Sequence, residues 1–110
     1  MANVFKNSVT GSIGTTNTKV YQTPALSVST VIGMSVSNVI SNNISVNVTI
    51  TDSSATQTRY LVRNGLIVEG SSMVIVGGDQ KVVLESGDFI SVVSSAATSA
   101  DVIVSVLEIS

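Results

Sequence analysis

The segment "NISVNVTITD", residues 43–52, leaves this chain few folds to choose from. Ile44, Val46, Val48 and Ile50 alternate with Ser45, Asn47, Thr49 and Thr51. A period of two puts the two sets on opposite sides of an extended strand, one side dry and the other wet. "SVSTVIGMSVSN", residues 27–38, reads the same way, with Val28, Ile32, Met34 and Val36 expected on one face and Ser29, Gly33, Ser35 and Ser37 on the other. No stretch sustains a helical period. The richness in Val, Ile and Thr suits strands, where branched side chains pack well on a pleated surface.

Turn signals divide the rest. "TKVYQTP" is a short strand closed by Pro24, the single proline. Asn64-Gly65 in "QTRYLVRNGLIVEG" predicts a two-residue hairpin turn, because both residue types tolerate positive φ. Gly70-Ser71-Ser72 leads into "MVIV", Gly77-Gly78-Asp79 into "QKVVLE" and Ser86-Gly87-Asp88 into "FISVVSS". "AATSA" is a loop before the last strand, "DVIVSVLEI". About eight short strands at close spacing predict an all-β domain, a single antiparallel β-sandwich or jelly-roll-like barrel over residues 18–110. Residues 1–17, with few apolar side chains and no clear period, are expected to be an N-terminal arm or irregular lead-in.

The stretch "VGGDQKVVLESGDF", residues 76–89, is the one place that suggests a ligand loop. A phosphate cradle needs Gly-x-x-x-x-Gly-Lys-Ser/Thr opening a helix. Here the glycines are adjacent and a strand follows. Asp79, Glu85 and Asp88 are too dispersed for a calcium loop, which supplies six to eight oxygens at short spacing. Gly and Asp in these positions are turn residues, and Lys81 sits on a solvated strand face. No metal or cofactor is expected.

Catalysis lacks its usual parts. The 110 residues contain no histidine and no cysteine, which removes the commonest general base, the thiolate nucleophile and any disulfide framework. Lys6, Lys19 and Lys81 form no Ser-x-x-Lys motif. Glu69, Glu85 and Asp88 stand at turns rather than in an aromatic-lined cleft. Tyr60 and Phe89 lie in apolar strand patterns and are expected in the core. The chain is read as a non-enzyme.

Charge narrows the partners. Five basic against seven acidic residues give a net charge of −2, which excludes the basic footprint of nucleic-acid binding and disfavours acidic lipid surfaces. No apolar run approaches the ~20 residues that cross a bilayer, and the start lacks the basic and apolar regions of a signal peptide. Charged residues are only 11% of the chain. Faces of Ser, Thr and Asn can be desolvated without burying unpaired ions, so the composition favours association. The last strand carries Val102, Val104 and Val106 on one face and Ile103, Leu107 and Ile109 on the other. A strand apolar on both faces needs two covers, and a second subunit is expected to supply one. Val104, Leu107 and Ile109 are therefore candidate interaction residues. Phe5, Val9 and Ile13 are the candidates in the arm, which is expected to be mobile alone and to order against a partner.

The opening "MANVFKN", the "TKVYQTP" lead into "STVIGMSVSN", then "VTITDSS", "YLVRNGLIVEGSSMVIVGGDQKVVLESGDFISV" and the ending "ADVIVSVLEIS" resemble small structural proteins of tailed bacteriophages. The resemblance runs over nearly the whole length and consists of strand and turn residues. It implies a virion component assembled in the host cytoplasm, foremost a capsid decoration (cement) protein bound to the major capsid protein or neighbouring virion proteins. Such proteins commonly occupy three-fold or quasi-three-fold axes, so it implies a homo-oligomer, with a trimer as the first expectation. A neck, tail-adaptor or tail-surface component is the alternative, and a receptor- or glycan-binding module a further one.

Overall fold

The alternation of residues 43–52 is realised as strand β4, Ile44–Asp52. In the computed structural model, which describes residues 3–110, Ile44, Val46 and Val48 are buried, while Ser45, Asn47, Thr49 and Thr51 are half-exposed. The other strands are β1 (Asn3–Ile13), β2 (Thr18–Gln22), β3 (Val28–Asn38), β5 (Gln57–Ile67), β6 (Ser72–Val76), β7 (Val82–Leu84), β8 (Phe89–Ser94) and β9 (Ala100–Ile109).

All pairings are antiparallel and form two sheets. One has the order β1-β9-β3-β6, with β7 also on β3; the other is β2-β8-β4-β5. Strand β1 pairs with β9, β2 with β8, β3 with β6 and β7, and β4 with β5. This is a long hairpin rolled up on itself, the winding of a jelly roll in which β6 and β7 share one strand position. The expected fold class stands. Its largest fully buried side chains are all Ile, Leu or Val, among them Ile13, Ile67, Leu84, Ile90 and Val102. Branched aliphatic side chains from two facing sheets fill the roughly 10 Å between them.

Three local expectations are corrected. Of residues 1–17, expected as an arm or irregular lead-in, the first two lie outside the described residues, and Asn3–Ile13 form β1 at the edge of a sheet, in register with β9 from Asn3↔Ile109 to Thr10↔Val102. Backbone pairing needs no apolar period, and the outward side of this edge strand is solvated, which erased the signal. Asn64-Gly65 is no hairpin turn. It lies inside β5, where Val46 faces Gly65 and Val48 faces Val62, so β5 carries an extra residue. Asn64 takes the positive φ of 53° at this bulge, and its N–H donates to Asn47 Oδ1 at 2.7 Å. The actual β4–β5 turn is at residues 53–56. There Asp52 Oδ1 accepts from the N–H of Ser54 (3.1 Å) and Ala55 (3.2 Å).

The third correction concerns β3. A register shift between Val31 and Gly33 inserts one residue, and a bulge reverses which face the following residues occupy. Val31, Met34 and Val36 point inward, whereas Val28, grouped with Met34 by simple alternation, is exposed.

The stretch 76–89 is two bends around β7. Gln80 N–H donates to Gly77 O at 3.1 Å and Asp88 N–H to Glu85 O at 2.9 Å, with Gly78 and Gly87 at positive φ. The buried Asp88 carboxylate accepts from Ser53 N–H at 3.0 Å and Glu85 N–H at 2.9 Å, tying the β4–β5 turn to the bend before β8.

Candidate functional site

Strand register builds one surface from residues far apart in sequence. On the outer side of the β1-β9-β3 sheet, Phe5 stands beside Leu107, Leu107 beside Thr30, and Thr30 beside Val83 of β7. A second row runs Val9, Ile103, Ser35, Val74. Side chains on one face of paired strands touch their neighbours in this order. Between the two rows lies Asn7, Ser105, Gly33.

Apart from Thr30 and Ser35, the two rows are apolar, and most of their side chains are exposed. Phe5 is 74% exposed, Val74 70%, Val9 68%, Val83 60% and Ile103 49%, while Leu107 and Ile109 are half-buried. The small middle row leaves an open groove of about 320 Å³ lined by Phe5, Lys6, Asn7, Ile32, Ser105 and Val106. Asp101, paired with Ser37 at one end, is the single charged side chain in these register positions.

The residues expected to contact a partner are divided by this geometry. Phe5, Val9, Leu107 and Ile109 share the outer face. Ile13 and Val104 do not: both are fully buried in the chain's own core, so they cannot meet a partner and are corrected to packing residues. The alternating pattern of the last strand was read correctly, but Val104 belongs to its inward side with Val102 and Val106. Val74, Val83 and Ile103 complete the face. The first two were missed because only the pairing of β6 and β7 with β3 brings them there.

The outer side of the β2-β8-β4-β5 sheet is chemically different. Its rows run Thr58, Thr51, Phe89, Gln22 and Tyr60, Thr49, Ser91, Lys19. Tyr60, expected in the core, is 56% exposed, because the second shift in β5 turns it to the solvent side opposite Thr49. Phe89 is half-buried, with Lys19 Nζ 4.3 Å from its ring centroid; Arg63 lies 5.7 Å from that of Tyr60.

Two clusters of ionisable side chains stand out among the described residues. Between the sheets, Tyr21 of β2 donates to Glu108 Oε2 of β9 at 2.5 Å and shares a 2.7 Å hydrogen bond with Ser29 of β3. Lys6 of β1 lies 3.0 Å from Glu108 Oε1. Burial and the Glu108 hydrogen bond push the Tyr21 phenol up to about 12, and the Tyr21 hydrogen bond, with Lys6, holds Glu108 below the usual carboxylate range. At neutral pH the phenol is a fixed donor and the carboxylate a fixed acceptor. The cluster fastens four strands together. Elsewhere, Asp52, Glu85 and Asp88 bring carboxylate oxygens within 4.8 Å of one another. Asp52, not Asp79, is the third member of this group. The Ser54 hydroxyl and the N–H groups of Ala55 and Ser54 hold the Asp52 carboxyl below its ordinary range. Asp52 Oδ1 thus accepts from its own turn, and the Asp88 carboxylate from Ser53 and Glu85 in the two adjoining turns.

No protein-family model matches the chain, and no curated protein matches it in sequence. Two solved structures are similar in fold, and a third aligns more loosely. A chain of the disulfide-linked pili formed by Bacillus endospore appendages aligns at TM-score 0.58 and 12% identity, covering 96% of this chain and 86% of that one. A chain of the IBDV viral particle aligns at TM-score 0.59 and 11% identity over 96% of this chain, which spans only 30% of the viral one. A pentameric capsid protein from metagenomic phage sequences shares 22% identity over 96% of this chain and 63% of its own, at TM-score 0.39, too loose a match to bear on the fold. At these identities the first two likenesses establish a shared β-sandwich architecture.

Proposed function

We propose that this chain is a non-enzymatic structural subunit of a virus particle, acting as a capsid decoration protein of a tailed bacteriophage. The observation that carries this reading is the uncovered apolar face around Phe5, Val9, Ile103, Val74 and Val83. Monomers rarely expose contiguous apolar patches beyond a few hundred Å², and larger ones mark association sites. The absence of histidine and cysteine leaves acid–base and thiolate chemistry without its common groups. The jelly-roll winding, which recurs in viral capsid domains, supports a role in a particle, as does the fold it shares with a chain of the IBDV viral particle. The equally similar pilus chain belongs to a disulfide-linked assembly; a chain without cysteine cannot be joined in that way. The resemblance to phage structural proteins supplies the choice of head decoration over a neck or tail role, and the expectation of three-fold sites.

Antibody labelling of purified particles tests this function. Label spread over the head supports decoration; label at one vertex or on the tail moves the chain to the neck or tail. Exposed Tyr60 and the hydroxyl rows beside it favour a second reading, glycan binding through the β2-β8-β4-β5 face. Saturable binding of the isolated protein on a glycan array, abolished by Tyr60→Ala, would establish it.

A further inference from the structure

We propose that the outer face of the β1-β9-β3 sheet binds its counterpart on a second copy of this chain, giving a two-fold dimer joined face to face.

The edges of both sheets are poor places to associate. Inward-pointing charges, bulges and short strands each discourage edge pairing. On β1, Lys6 turns inward to Glu108. Strand β5 has two register shifts, β2 is five residues long with one shift, and β6 and β7 have five and three residues. The face carries no such protection.

Its size matches what a dimer needs. Strands β1 and β3 are 11 residues long. At ~3.3 Å per residue, and four strand positions ~4.8 Å apart, the face measures roughly 700 Å². A standard interface takes about 800 Å² from each partner.

Its relief is self-complementary. An isologous contact requires one surface to offer both the knob and the hole. Phe5 is 74% exposed, and it borders the groove that Asn7 and Ser105 also line. The groove's 320 Å³ exceeds the roughly 150 Å³ of an engineered cavity that admits benzene. The ring of one copy can enter the groove of the other while the reciprocal contact forms. A second copy is also the one partner present wherever the chain is made. A low-charge chain carrying this patch needs its cover before any particle is met. Two subunits joined this way present their β2-β8-β4-β5 faces outward on opposite sides. The inference shares this face with the virion reading but assigns it to a second copy, so contact with a particle falls to the outward β2-β8-β4-β5 faces and a two-fold replaces the three-fold expectation.

Sedimentation equilibrium of the full chain, with Ile103→Asp and Thr49→Asp variants, tests it. The expected mass is twice 11.3 kDa. Ile103→Asp should weaken the dimer by roughly thirtyfold or more, while its circular dichroism and monomer fold persist; Thr49→Asp, on the opposite face, should leave the dimer intact. Because the native chain has no cysteine, Ser105→Cys gives an independent measure. A short bis-maleimide, which spans facing sheets, should join it into a covalent dimer and should not join Thr49→Cys. A monomer at 100 micromolar, a trimer, or a dimer broken by Thr49→Asp and not by Ile103→Asp would overturn the inference. A dimer that never binds particles would sink the decoration reading alone.

Discussion

Tyr21 and Glu108 meet across the gap between the two sheets, phenol to carboxylate at 2.5 Å. The bond joins β2, near the start of the chain, to β9 at its end. Without it, a nearly buried carboxylate would face Lys6 alone. Tyr21→Phe should cost about 1–3 kcal/mol, as expected for a lost hydrogen bond to a charged group. Denaturant unfolding at pH 7 checks this.

The same pair sets two pH limits. Glu108 has a depressed folded pKa, so its contribution is present above the unfolded value, near 4.3, and is lost as pH falls through the lower folded value. Tyr21 has a raised folded pKa of about 12. Its contribution is complete below the unfolded value, near 10, and disappears as pH rises towards the folded one. Spectroscopic titration should show one tyrosine ionising late. Glu108→Gln should bring that transition down towards 10.

Neighbouring positions on β9 should respond differently. Val104 is buried inside, so Val104→Asp should destabilise the subunit by several kcal/mol. Leu107 lies half-buried on the outer face, so Leu107→Asp should leave most of the subunit's stability but impair association. Unfolding and sedimentation measured on both variants separate the two effects.

Gly65 is required by space rather than by φ. A Cβ there would fall 2.5 Å from Val62 Cγ1 and 3.0 Å from Met73 Cε. Gly65→Ala should therefore cost about 1–3 kcal/mol through overpacking. Gly78, at φ 61° with nothing near its Cβ position, should lose about 1–3 kcal/mol on substitution by Val through backbone strain alone.

Removing residues 2–14 should lower the melting temperature. A mobile arm would be dispensable to the core, but β1 covers the edge of β9, and Ile13 is a fully buried core residue. Losing a buried Ile side chain alone costs about 2–5 kcal/mol. Calorimetry on the truncated chain is the check.

These cases show which parts of the fold the sequence expressed. β4 and β9 were legible because each alternates without interruption, and Pro24 and the Gly-Asp pairs marked real boundaries. β3 was legible as a strand but not in its facing, since the shift at Gly33 leaves no trace in composition. Asn64-Gly65 misled because the preference for positive φ that makes a hairpin turn also makes a bulge. β1 was hidden because an edge strand draws its stability from a neighbour's backbone. The face itself was half visible: Phe5, Val9, Leu107 and Ile109 stood out, but Val74 and Val83 join them only through the topology.

The count of this chain in purified particles tests the proposed function most directly. Quantitative mass spectrometry against the major capsid protein, with labelling to locate the copies, should find many copies spread over the head. A chain absent from purified particles, or confined to a few copies at one vertex, would contradict the decoration role.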